Sequence, residues 1–290
     1  MTPRLHAEPA PRRLNVFTVK RDGVIHFYVQ NLGLASITAT LDMDMTNLQG
    51  NTTFPYTTTL GGNVTVEAFA LSRIETNAPW NYRYENSCVI GSATAVPDEN
   101  YSYQLPYAPG SSFPVSQGYH GSFSHCGPDE FAIDWKMPVG TPVHAARGGV
   151  VVQSKDDMNR GGPDRKFEKD ANCVLIQHSD GTIGIYGHLK HGGNKVKVGD
   201  HVNAGDIIAL SGNTGFSNGA HLHFAVFKAK NGKERLSLPV KFRDASQQMV
   251  TLEMGHTYTA APLDIFPGET PALAVAGHPA APITAAKMLQ

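Results

Sequence analysis

Apolar and polar residues alternate with a period of two through much of this chain, in short runs broken by glycine-bearing turns. Residues 15–19, 24–29, 35–41 and 63–69 each read as a strand, since side chains two apart share a face of a pleated ribbon. Asp22-Gly23 and Gly61-Gly62 lie between such runs as turn signals. Alternation with regular turns predicts a small β-sandwich over residues 13–106, an accessory or pro-domain preceded by a flexible lead-in at 1–12. No catalytic constellation falls within it.

The pattern changes character after Tyr107-Ala108-Pro109-Gly110-Ser111-Ser112, read as a linker. In 131–135 the residues Phe131, Ile133 and Trp135 take one face, while Ala132 and Asp134 take the other. In 219–227 the apolar Leu222, Phe224 and Val226 face a core, leaving His221, His223 and Ala225 on the opposite side. Residues 148–154 and 173–178 read as paired strands, with a polar loop, 155–170, between them. In 181–189 the same count puts Ile183, Ile185 and Leu189 on the apolar face, and Thr182, Tyr186 and His188 on the other. The run 195–210, with turns at Gly199-Asp200 and Gly205-Asp206, reads as scaffold. The expected fold class is mainly β: an N-terminal β-sandwich plus an antiparallel β-sheet domain with an open groove over 107–260. Residues 261–290, rich in Pro and Ala, predict a tail without its own core.

Composition narrows the function. The 290 residues carry a formal charge of −1 and no long basic run, which excludes a nucleic-acid partner as the expectation. No apolar run is long enough to span a bilayer. Cys88, Cys126 and Cys173 are too few and too scattered for a disulfide scaffold or a cysteine zinc site. They leave the compartment open, and nothing in the sequence sets the oligomeric state. The first thirteen residues lack the hydrophobic centre of a secretory leader.

Asp134 stands alone among apolar neighbours, and a lone buried carboxylate needs a partner. A salt bridge or a turn cap would satisfy it. A metal does so better, because His125 lies nearby across a glycine-bearing loop, with His120 a competing candidate. His125, Asp134 and His223 form a two-imidazole, one-carboxylate set suited to tetrahedral zinc with one open position. Such a site is hydrolytic, and with no His-Glu-x-x-His helix present, His188 and His221 are the candidates for proton transfer. Tyr186 enters as a possible oxyanion or substrate contact, or as plain packing.

In order along the chain, Ser124-His125, Ala132-Ile133-Asp134, residues 138–143, Tyr186-Gly187-His188-Leu189, residues 211–215 and His221-Leu222-His223-Phe224 resemble the lysostaphin-type (LytM-like) zinc metallopeptidases. That family cuts peptide cross-bridges of bacterial peptidoglycan. The resemblance covers over a third of the chain. It implies one Zn2+ held by His125, Asp134 and His223, with His188 and His221 flanking the metal-bound water, and peptidoglycan peptides as partners. One departure is the first histidine: many members place it four residues before the aspartate, and here the spacing is nine. A peptidoglycan substrate implies a periplasmic or secreted protein whose leader has been removed. The rival expectation is a non-catalytic wall-binding or hydrolase-activating protein on the same scaffold. A third is latency, with residues 14–105 or the 155–170 loop covering the groove.

Overall fold

A computed structural model describes residues 13–262; the expected lead-in and the bulk of the Pro/Ala-rich tail lie outside the described residues. Among the described residues, strands account for nearly all regular structure, beside two short 3-10 turns.

The N-terminal strands form a sandwich. One sheet orders the strands Leu14–Arg21, Val24–Asn31, Thr65–Arg73 and Leu48–Gly50; the other orders Tyr56–Leu60, Ile37–Thr46 and Asn81–Ile90. Alternate residues of Val24–Asn31 are buried, among them Ile25, Phe27 and Val29. They meet Ile37, Ala39 and Leu41 from the opposing sheet and Phe69 and Leu71 from their own. This is the period-two pattern made physical: one face of each ribbon is dry.

Eight strands of the second half run in the order His201–Val202, Gly149–Lys155, Cys173–Gln177, Ile183–Gly187, Leu222–Ala229, Ile133–Trp135, Ser112–Gln117 and Thr257–Thr259. Arg235–Leu238 also pairs with the C-terminal half of Leu222–Ala229. All these pairings are antiparallel. One face of the sheet buries Trp135, Val174, Ile176, Tyr186, Leu222, Phe224 and Val226 in a large aromatic-rich core. Each such side chain contributes about 1.5–3 kcal/mol by leaving water, so this face fixes the register of the opposite one. Cys88, Cys126 and Cys173 form no disulfide with one another.

The segment expected as a linker begins inside this core. Tyr107 is buried, and its hydroxyl donates to the Tyr258 carbonyl. Just before it, Ser102–Gln104 pairs in parallel with Lys241–Arg243.

The sandwich packs against the other face of the sheet, at the end away from the histidines. Ala35 and Ile90 join Val152, Cys173, Leu175, Ile183 and Phe227 in one apolar cluster. Around it, Arg13 Nη2 donates to Val152 O (3.1 Å), Ser36 N to Gln177 Oε1 (2.8 Å) and Gly232 N to Thr40 Oγ1 (2.9 Å). The sheet face that carries His223 therefore runs from a histidine cluster at one end to the sandwich at the other.

Candidate metal centre

Three adjacent strands bring the site together. Asp134 sits directly opposite His223 in the pairing of Ile133–Trp135 with Leu222–Ala229, and His223 is opposite Gly187 of the next strand. Because Ile133, Trp135, Leu222 and Phe224 are held in the core, Asp134 and His223 must project from the other face. Gly187 leaves the space beside them: a methyl group there would touch the His223 ring at 3.4 Å. His125 arrives from the loop that follows Ser112–Gln117.

One ligand atom each from His125, Asp134 and His223 lies within 4.8 Å of the others. His125 Nε2 is 3.1 Å from Asp134 Oδ2, and His223 Nδ1 is 2.9 Å from Asp134 Oδ1. Burial opposes charge on Asp134, yet the two imidazoles hold its carboxyl well below the usual carboxylate range. Burial likewise opposes charge on His223, and the Asp134 carboxylate outweighs it, raising that imidazole.

The orientation of His125 bears on the cation. Its Nδ1–H donates to Gly118 O at 2.8 Å, which leaves a lone pair on Nε2. That Nε2 is fully buried and has no hydrogen-bond partner, although the Asp134 oxygen is near. A buried lone pair facing a carboxylate oxygen is costly unless a cation lies between them. The donor set, two nitrogens and one carboxylate oxygen, is the kind that zinc takes.

His188 and His221 stand beside this trio. Their rings lie 4.5 Å apart, and His188 is 5.7 Å from His223. Each is oriented by the backbone: His188 Nδ1–H donates to Thr214 O (2.7 Å) and His221 Nδ1–H to Gly219 O (2.8 Å). Burial, reinforced by His221 and His223, pushes the His188 imidazole down to about 3. His221 Nε2 lies 3.9 Å from Asp134 Oδ2. Next to Thr214, Gly215 has φ +81°, and a Cβ there would lie 2.5 Å from Ala171 Cβ, which leaves no room for a side chain.

His120, the competitor for the first position, is placed elsewhere. It is exposed, with Nδ1 3.1 Å from Glu130 Oε1. Cys126 is exposed and outside the trio.

Tyr186 corrects the reading from alternation. It does not face the groove: it is fully buried in the aromatic core, and its hydroxyl accepts from Ala146 N at 2.7 Å. Burial raises its phenol pKa. The strand ends at Gly187, and His188 takes φ +58°, a left-handed conformation that breaks the alternation. Counting in twos from Tyr186 to His188 put both on one face; the backbone turn separates them.

Other residues of the site were not foreseen. Gln117 Nε2 donates to Asp134 Oδ2 (3.2 Å) and to Ser124 Oγ (2.8 Å), while Gln117 Oε1 accepts from Phe123 N (3.2 Å). It ties the carboxylate to the loop that carries His125. Its signal was its place at the end of a strand directly before that loop. Asp129, in the 3-10 turn Gly127–Asp129, has Oδ1 4.0 Å from His223 Nε2 and accepts from Arg235 Nη2 at 2.6 Å.

Comparison with known proteins gives a concordant picture. Residues 129–235 match the profile of peptidase family M23. An uncharacterized metalloprotease of Buchnera aphidicola is 41% identical over 98 residues, which are 34% of this chain and 23% of that protein. The peptidoglycan DD-endopeptidase ShyA of Vibrio cholerae is 40% identical over 91 residues, 31% of this chain and 18% of that one. The glycyl-glycine endopeptidase ALE-1 of Staphylococcus capitis is 38% identical over 99 residues, 34% of this chain and 24% of that one. The chain thus spans about a quarter or less of the length of these relatives.

Proposed function

We propose that this chain, a member of peptidase family M23 through its residues 129–235, is a zinc-dependent endopeptidase that hydrolyses peptide cross-links or stem peptides of bacterial peptidoglycan. The observation that carries the proposal is the convergence of His125, Asp134 and His223, with a buried and unpartnered His125 Nε2, beside two further histidines.

His125 Nε2, Asp134 and His223 Nδ1 would hold the metal. Zinc bound there supplies a Lewis acid that polarises a carbonyl and lowers the pKa of water. The chain's own contribution is proton handling. With Nδ1–H committed to backbone carbonyls, His188 and His221 each have a lone pair on Nε2. That atom accepts a proton from the attacking water and then donates one to the leaving amine. The Thr214 and Gly219 carbonyls hold both rings in that tautomer.

Relatives named as a peptidoglycan DD-endopeptidase and a glycyl-glycine endopeptidase support a peptidoglycan substrate and leave either bond type within the proposal. Such a substrate places the protein in the periplasm or outside the cell. Among the described residues, no helix is long and apolar enough to cross a membrane.

The test is wall clearing with mass analysis of the released muropeptides. Clearing should stop with a chelator, return with zinc and be absent in His223→Ala. Clearing that survives complete metal removal, or persists in His223→Ala, refutes the enzyme and leaves the wall-binding reading.

A further inference from the structure

On the sheet face that carries His223, one cation stands beside the trio. Arg235 lies on the short strand paired with Leu222–Ala229, opposite Ala229. Its guanidinium rests over the Phe227 ring, 4.8 Å from the ring centre. His223, Ala225 and Phe227 alternate along one face of their strand, so the guanidinium lies on the face that carries His223, over a ring that also packs in the cluster beneath the sandwich. A single carboxylate, Asp129, separates the two: its Oδ1 is 2.6 Å from Arg235 Nη2 and 4.0 Å from His223 Nε2.

Among the described residues, one of the five guanidinium N–H groups is committed. The bond from Nη2 to Asp129 is the one described for Arg235, and the side chain is 22% exposed. The other basic side chains near the site differ. Arg160 and Arg165 on the 155–170 loop pair with Asp170 and Glu168 of that same loop, and both are more than half exposed. Arg235 is the partly buried one, flattened on an aromatic ring with donors to spare. A planar fork held in this way suits a bidentate carboxylate.

We propose that Arg235 recognises a free carboxylate on the substrate, close to the scissile amide. This deepens the hydrolase reading and rests on it. The substrate class it selects is a peptide with its own ionised carboxyl group beside the scissile amide, as a bond from D-alanine to a diamino diacid has and a glycine bridge lacks. Asp129 occupies one edge of the fork, keeping the guanidinium oriented toward the groove.

The test uses the full chain with zinc and two matched peptides. They differ only in having a free carboxylate or a primary carboxamide beside the scissile amide. The wild-type protein should favour the carboxylate by about ten- to hundredfold in kcat/KM, chiefly through KM, as expected for a charge-assisted contact. Arg235→Gln should remove the preference while still cleaving the carboxamide, and Arg235→Lys should retain part of it. Equal cleavage of both peptides by the wild type, or a preference that persists in Arg235→Gln, overturns the proposal and leaves the hydrolase reading intact. Calorimetric binding of both peptides to His221→Ala separates recognition from turnover. Discrimination there without cleavage by the wild type sinks the hydrolase reading alone, and no discrimination there sinks the role of Arg235.

Discussion

Thermal unfolding with and without zinc probes the centre without relying on catalysis. His125 Nε2 is buried, lacks a hydrogen bond and faces Asp134 Oδ2 at 3.1 Å. A ligand that binds only the folded state stabilises it by RT ln(1 + [L]/Kd), about 2.7 kcal/mol at a hundredfold excess over Kd and about 4.1 kcal/mol at a thousandfold. For a chain of this size each kcal/mol moves Tm by about 2–4 °C. Zinc should therefore raise Tm by roughly 5–16 °C over the chelated protein, the product of those two ranges. His125→Ala removes one of three ligands and should abolish the shift, whereas His120→Ala should leave it whole. Calorimetric scans of the three proteins, each with chelator and with zinc, measure this directly. Equal Tm in both states of the wild type, or a shift lost in His120→Ala and kept in His125→Ala, would refute the assignment of the trio.

Three further outcomes follow from the same coordinates. Tyr186→Phe leaves the buried Ala146 N–H without its acceptor, which should cost about 1–3 kcal/mol of stability in urea unfolding and leave kcat near the wild-type value. A kcat loss of about a hundredfold or more with unchanged stability would instead return Tyr186 to an oxyanion role. Gln117→Ala cuts the tie between Asp134 and the His125 loop, and competition with a chromogenic chelator should show zinc affinity weakened by about 10–100-fold. Burial, aided by Arg147, lowers the His178 imidazole to about 3, so below about pH 6.5 the unfolded chain binds a proton that the folded chain does not. Stability should fall as pH drops through that window, and His178→Gln should flatten the decline by up to about 1.4 kcal/mol per pH unit; parallel pH profiles for the two proteins would contradict it.

The sheet faces were legible where burial is one-sided. Strands 24–29 and 219–227 put their apolar residues where counting in twos put them, because a one-residue slip would expose Phe27 or Phe224 to water. The strands Tyr56–Leu60 and Asn81–Ile90 were not foreseen. The first is mostly threonine and the second alternates polar with partly buried residues. Their places are set by pairing with Ile37–Thr46, through contacts such as Thr40 Oγ1 to Thr57 Oγ1 at 2.8 Å. Pairing across long separations leaves no local hydrophobic signature for a reader to find.

At the site, residue type and residue position carried different amounts of information. The convergence of His125, Asp134 and His223 was readable because a metal would demand particular atoms, and few side chains supply them. Tyr186 was misplaced because both faces of its strand are covered: Ile183 and Ile185, taken as the core face, pack in the cluster beneath the sandwich, which leaves Tyr186 to the main core, while His188 at +58° leaves the alternation. Gln117, Thr214 and Gly219 orient the site through an amide and two backbone carbonyls, groups that any polar loop can provide. Their roles arise only from register: Asp134 opposite His223 with Gln117 on its far side, and His223 opposite Gly187. The same register sets the geometry of Arg235 and Asp129, which come from a hairpin beyond His223 and from the long loop before Asp134. A sequence can therefore announce a metal through its donors, while the groups that choose a substrate stay hidden until the strands are paired.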